Sequence, residues 1–324
     1  MSESLTQAVP AAVTAAPAGE EARKRWTGLL ALLLATSAWG GLFHAGKQVL
    51  TRLDPFWFTA LRYGGAALLL AALLLARGAL RPGELRAQAG RLFGLGLLGY
   101  GAFGILVFIG LSMSVPSHGA VIMATMPLST LFMRWAIDGQ RPQWWAWIAA
   151  SLALGGVSLV AGVWSAPGAG SGGSTLAGDS IALLGTLGWI LYTRGQAKVP
   201  QLSVLEYTAY TALLAFPGLL AIAALASGLG WAHRPSVEAV REVAPAALYI
   251  IAIGTVLAAL AYNLGVRLLG VTTGVLFINW VPVSALVIGA VLGHVPSASE
   301  LIGTGLVIAA LVLVAGRMRA AGKG

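Results

Sequence analysis

The chain has 324 residues, 58% apolar and 10% charged, with a mean hydropathy of +0.84 and a formal net charge of +9. Soluble domains carry about 25% charged residues, so this composition excludes a large soluble protein with a wet surface and points to a chain solvated mostly by lipid. Cysteine is absent, which rules out disulfides and thiolate chemistry, and the positive excess reads as basic loops at a membrane face rather than a nucleic-acid surface.

Residues 1–25, MSESLTQAVPAAVTAAPAGEEARKR, are rich in Ala, Pro and Ser and hold no apolar core. They read as a disordered cytoplasmic tail and not as a signal peptide. Ten apolar runs follow, at roughly 26–46, 55–77, 91–113, 117–137, 142–164, 176–197, 204–227, 243–265, 270–292 and 298–317. Each approaches the ~20 residues that cross the hydrocarbon core. Backbone in lipid must bond internally, so all ten predict helices. The stretch SAPGAGSGGST at 165–175 predicts a flexible joint, and 318–324 a short tail. With the N-terminus inside, fifteen Lys and Arg fall on the cytoplasmic face, against Lys47, Arg52, Arg234 and Arg241 outside. That asymmetry predicts both termini in the cytoplasm. Arg62 lies within a predicted helix, where snorkelling or a pair with Asp54 near the outer face is expected.

GLSMSVPSHGAVIMATMP (110–127) and GVRLLGVTTGVLFINWVP (265–282) carry the same punctuation 155 residues apart. Gly110 matches Gly265, Gly119 matches Gly274, Pro127 matches Pro282, and Ser129 and Ser284 extend the match. Trp39 has its counterpart at Trp189. The duplication therefore covers five helices, 26–164 and 176–317, and an odd count turns the second copy upside down. The predicted fold is all-α, with ten transmembrane helices in two inverted five-helix repeats around a central cavity. Many secondary transporters are built this way, with substrate bound near the midplane between the copies.

WGGLFHAGK (39–47) followed by DPFWFTALRY (54–63), with GWILYTRGQAK (188–198) in the second copy, resembles the "WG…K…P…R" pattern of the drug/metabolite transporter superfamily, EamA type. The resemblance spans about 26–317 and is strongest to bacterial amino-acid exporters of the YddG type. It implies a ten-helix basket in a bacterial inner membrane, exporting neutral or aromatic amino acids or related metabolites by alternating access. Nucleosides and sugar conjugates are the alternative cargo. Family members often carry a glutamate after the fourth and ninth helices, where this chain reads DGQR (138–141) and LGHVP (292–296).

All eleven acids fall in tails, loops or helix ends, with Asp179 and Glu206 nearest the membrane. A proton-exchanging cation pump uses a buried acid, so a neutral or zwitterionic substrate is favoured. Pro127 and Pro282 fall mid-helix and free the carbonyls of Met123 and Ile278. Those carbonyls either hold a polar substrate group or close onto neighbouring helices in a kink. With Gly119 and Gly274, the prolines are the candidate gating elements. Trp39, Tyr100, Trp189, Tyr192 and Trp280 are the deep aromatics and Asn279 a mid-depth amide; they either line the passage or serve helix packing. His44, Lys47 and His118, near outer helix ends, are candidates for an outer vestibule.

Two motifs point elsewhere. GLGLLG (94–99) fits a dinucleotide expression but lies inside an apolar run with no strand before it. Ser112, Ser114, Ser117 and His118 raise an intramembrane hydrolase, opposed by the lack of a GxSxG elbow and of any carboxylate expected near His118. An intramembrane enzyme or lipid-handling scaffold is therefore the weaker alternative. His44, His118, His233 and His294 show no paired spacing, so no metal or cofactor is predicted. The expected partners are a small-molecule substrate and the lipid bilayer, without nucleic acid; the oligomeric state is left open, a monomer being compatible with the pattern.

Overall fold

The computed structural model describes residues 18–160, 172–293 and 295–321, and the regular structure of these residues is helical throughout. Of the expected tails and joint, 1–17, 161–171 and 322–324 lie outside the described residues, as does His294. Residues 18–25 belong to the first helix, 172–175 open the helix of the second copy, and 318–321 end the last one.

Helix α1 (Ala18–Val49) is followed by α2 (Pro55–Ala76), α3 (Pro82–Ser112), α4 (Pro116–Ala124), α5 (Met126–Asp138) and α6 (Trp144–Val160). The second copy holds α7 (Gly172–Gln196), α8 (Val204–Gly228), the short α9 (Val237–Glu242), α10 (Ala244–Leu269), α11 (Val271–Phe277), α12 (Trp280–Val291) and α13 (Ala298–Ala321). Local chemistry sets several starts. Asp54 caps α2 by accepting from the Phe56 and Trp57 amides, with Pro55 in the first turn. Ser203 and Glu206 form a capping box on α8. Among the described residues, seven helices are long and apolar enough to cross a membrane, or eight if α4 and α5, bent by 44°, make one span. Among the described residues α6 runs over Trp144–Val160 and α13 over Ala298–Ala321.

The duplication is visible in backbone detail. α3 carries a π-helical turn at Leu97–Ala102 and α10 carries one at Ala252–Leu257, again 155 residues apart. The helix breaks fall at Thr125 and at Ile278–Asn279, just before Pro127 and Pro282.

Packing repeats with the copies exchanged. α1 lies along α10 while α3 lies along α7; α2 lies along α8, and α6 along α13. Where α3 crosses α7, a Cβ on Gly110 would stand 2.4 Å from the Gly178 carbonyl oxygen. Where α1 crosses α10, a Cβ on Gly265 would stand 2.4 Å from Leu32 Cγ and 3.0 Å from the Gly28 oxygen. Gly28 and Gly178 are themselves 150 apart, the Trp39-to-Trp189 spacing. Small residues let these helices approach where lipid offers no hydrophobic drive. The same exchange brings Gly99 against Tyr192 and Gly254 against Leu42.

Candidate substrate site

The two π turns face each other across the centre and present Tyr100 from α3, and Gly254 and Thr255 from α10. An inserted residue in a helix turns its neighbours off the regular register, which is why such turns recur at functional sites. Trp39 and Trp189, the counterparts in α1 and α7, meet edge to face at 5.3 Å between ring centroids. Trp39 Nε1 donates to the Gly254 carbonyl at 3.1 Å. Tyr63 stacks on Tyr100 at 4.5 Å, and Tyr192 lies 5.1 Å from Tyr100.

Behind these rings runs a buried polar network. Tyr100 Oη donates to Tyr192 Oη at 2.9 Å and shares a 3.1 Å bond with Thr211 Oγ1. Asn263 Nδ2 donates to Tyr192 Oη at 2.9 Å and to Thr208 Oγ1 at 2.8 Å. Buried networks of this kind fix side-chain positions; one acceptor in it, Asn263 Oδ1, has no hydrogen-bond partner among the described residues.

The rings enclose a void of about 20 Å³, lined among others by Trp39, Phe43, Arg62, Tyr63, Tyr100, Met123, Trp189 and Thr255. That is room for about one water, far below the ~300 Å³ of a small-ligand pocket. The centre is constricted. Met123 is one helical turn from Pro127, which lines a basin of about 400 Å³ with Arg134, Arg194, Lys198, Val271 and Val275. Arg194 is paired there with Asp138, both contacts at 2.9 Å.

Arg62 departs from expectation. It does not pair with Asp54, whose carboxylate caps α2 and accepts from the His233 amide at 3.1 Å. Arg62 is 3% exposed, points into the centre, donates from Nε to Thr255 Oγ1 at 2.6 Å and lies over the Tyr63 ring at 4.7 Å. Arg62, Tyr63, Thr211 and Asn263 were not among the expected site residues. The available signal was a charge and an amide inside apolar helices, a placement that favours an interior-facing role.

Of the expected residues, Trp39, Tyr100, Met123 and Trp189 line the void and Tyr192 backs it. The others are placed elsewhere. Ile278 is fully buried, and the carbonyl that Pro282 was expected to free accepts the Val281 amide at 2.9 Å. Trp280 is 42% exposed, outside the void lining, and donates to Ser37 Oγ at 3.0 Å. Asn279 Oδ1 is buried without a hydrogen-bond partner among the described residues, outside the void. Gly119 packs on Phe43 and Gly274 on Val266, where a Cβ would stand 2.6 and 2.3 Å from the nearest atoms. Pro282 is buried in α12.

The three residues expected in an outer vestibule tie helices together. His44 Nε2 is 2.9 Å from the Ala285 carbonyl oxygen. Lys47 Nζ donates to the carbonyls of Leu111 (2.9 Å), Ser112 (3.3 Å) and Ser114, closing the C-terminal end of α3, a favourable place for a cation. His118 is buried against Asp179, Nδ1 to Oδ2 3.0 Å.

The expectation that no acid is buried is also corrected. Asp179, Glu206 and Glu300 are each less than a tenth exposed. Glu206 accepts from Arg81 Nη2 at 2.9 Å, and this contact holds the Arg81 guanidinium above its ordinary pKa. Glu300 accepts from the Ser297 amide at 2.9 Å. Asp179 accepts from Ser114 Oγ at 2.7 Å, and Ser114 Oγ is 2.9 Å from His118 Nδ1. A carboxylate therefore does sit beside His118. The arrangement is not a catalytic relay, since serine and aspartate share one ring nitrogen, whereas general-base catalysis needs them on opposite ones. Among the described residues no group of three or more His, Asp or Glu is placed to hold a metal.

Two segments of the chain, 26–162 and 176–316, match the EamA-like transporter family. Two Bacillus subtilis (strain 168) proteins, described as the uncharacterized transporters YrdR and YyaM, are each 28% identical. YrdR aligns over 88% of this chain and 90% of its own, and YyaM over 86% and 90%. A solved crystal structure shares the fold with a TM-score of 0.64 at 21% identity, covering 90% of this chain and 97% of the other.

Proposed function

The chain belongs to the EamA-like transporter family, and from that premise we propose that this multi-pass membrane protein is a secondary transporter of the bacterial inner membrane, exporting amino acids or related small metabolites. In this reading it spans the membrane ten times as two inverted repeats, with both termini in the cytoplasm, and works by alternating access. The seven or eight long apolar helices account for most of the spans, and α6 and α13 supply the rest.

The observation that carries the reading is the aromatic void where the two copies meet, one turn from a basin on the arginine-rich side. A void near 20 Å³ admits no amino acid. Transport then requires the π turns and the α4–α5 break to part, widening the centre toward one face at a time. Flux in liposomes holding only the purified protein tests this. Saturable export or exchange of an amino acid is the expected result, and no saturable flux across amino acids, nucleosides and sugars would remove the proposal.

A further inference from the structure

We infer that Arg62 anchors a substrate carboxylate, so that the protein accepts small organic acids, amino acids included, and discriminates against their amides and amines. This rests on the central void being the substrate passage. Arg62 Nε is satisfied by Thr255, but Nη1 is buried with no hydrogen-bond partner, and none of the ion pairs among the described residues includes Arg62. A buried guanidinium with no counter-charge is strongly unfavourable. Tyr63 Oη, in the same lining, also lacks a partner.

A guanidinium can only donate. Two unfilled donor groups beside one void, one of them charged, call for an acceptor there. A water would accept one or two of these hydrogens and bring no charge. A carboxylate brings both acceptor oxygens and a single negative charge, in the planar geometry a guanidinium matches. A phosphate monoester carries nearly two charges against one guanidinium. The aromatic walls at Trp39 and Phe103 suit an apolar body, and the ring faces suit an ammonium where one is present.

The duplication supplies an independent reason. α8 repeats α2 at an offset of 149: the caps Asp54 and Ser203 correspond, as do Thr59–Ala60 and Thr208–Ala209. Arg62 then corresponds to Thr211, while Thr255 corresponds to Tyr100 at offset 155. The Arg62–Thr255 contact reappears as Thr211–Tyr100, at 2.6 and 3.1 Å. Where no charge is needed the fold fills this place with a hydroxyl, so packing does not demand a cation at position 62. The nearby basin, whose lining includes Arg134 and Lys198 and no acidic residue, gives an anion a favourable approach.

The test uses the full-length protein in liposomes and four indole compounds of similar size: tryptophan, 3-indolepropionate, tryptophanamide and tryptamine, with uridine and indoxyl phosphate as further arms. The acids are expected to be carried with kcat/KM at least about tenfold above the amide and amine, the scale of one charge-assisted hydrogen bond. Arg62→Thr, which installs the residue the other copy uses, should bring the acid-to-amide ratio to about one, and Arg62→Lys should restore part of it. A purely structural role would lower acid and amide together and leave the ratio unchanged. Equal flux of acid and amide in the unaltered protein, or an unchanged ratio in Arg62→Thr, overturns the assignment while leaving the transporter reading intact. Preference for indoxyl phosphate overturns the carboxylate class. Absence of flux for every compound, uridine included, removes the transporter reading and this assignment with it. If Arg62→Thr does not insert, the comparison of compounds on the unaltered protein and on Arg62→Lys decides.

Discussion

Alanine at Gly110 separates close helix crossing from intrinsic helix preference. In an unobstructed helix, Gly→Ala stabilises by about 0.5–1 kcal/mol. At Gly110 the new Cβ would stand 2.4 Å from the Gly178 carbonyl oxygen, about 1 Å inside an ordinary carbon–oxygen contact. Backbone cannot rotate out of the way, so α3 and α7 must separate, an overpacking cost of roughly 1–3 kcal/mol. Subtracting the helix preference leaves a loss centred on about 1 kcal/mol, between about 0 and 2.5 kcal/mol. At Gly265 the 2.4 Å contact is to the Leu32 side chain and the backbone oxygen of Gly28 is farther, at 3.0 Å, so a rotamer change relieves part of the clash. Gly94 lies on α3 with nothing within 4 Å of its Cβ position and serves as the control. Thermal unfolding in detergent, followed by size-exclusion monodispersity, should rank Gly94→Ala at or above the parent, Gly265→Ala below it and Gly110→Ala lowest. The Gly110→Ala deficit should be roughly 2–6 °C at a few degrees per kcal/mol. A Gly110→Ala protein as stable as Gly94→Ala would refute the crossing geometry.

Asp179→Leu keeps a similar volume but removes both acceptor oxygens, so Ser114 and His118 lose their bonds at 2.7 and 3.0 Å. The expected cost is about 1–3 kcal/mol, read as a lower unfolding temperature, and an unaltered temperature would contradict the buried cluster. Lys47→Met removes the side chain that closes three carbonyls at the end of α3. Hydrogen exchange should rise in the 111–118 segment and not in α8, and equal protection would show the cap to be dispensable. Trp280→Ala, outside the void lining, should leave substrate KM within about twofold of the parent, while Trp189→Ala should raise it at least about tenfold through lost ring contacts. Similar KM values for the two variants would place Trp280 back in the passage.

The sequence made legible what repeats and what is apolar. Glycine and proline at offset 155 located the second copy, and the π turns at Leu97–Ala102 and Ala252–Leu257 fall on the same offset, though nothing in their residues announces a π turn. Trp39, Tyr100, Met123 and Trp189 were singled out because large aromatic or flexible apolar residues deep in a span must face something, and all four line the void. Trp280 lies outside that lining for a local reason. The chain breaks at Asn279, and a bend of one residue turns the next side chain to another face. Asp179 was misjudged because α7 begins upstream in glycine-rich sequence at Gly172, which carries the acid inside the helix rather than at its end.

Arg62 shows how far symmetry alone reaches. The two copies place the π turns and the Gly110 and Gly265 crossings equivalently, so several contacts across the centre, Arg62–Thr255 and Thr211–Tyr100 among them, have a mate with the copies exchanged. Chemistry breaks the equivalence at a few positions. Arg62 faces Thr211 in the correspondence, and Met123 faces Ile278, yet Met123 lines the void and Ile278 does not. Two equivalent halves are enough to rock about a shared centre, but an unsymmetrical solute needs an unsymmetrical site. Divergence between the copies is therefore the feature that separates recognition from scaffold. It falls on side chains that line or flank the constriction, while Gly110 and Gly265, and Gly28 and Gly178, remain paired where the helices cross. On the proposed transport reading, a position where the copies agree reports how the halves pack, and one where they differ beside the void reports what passes between them.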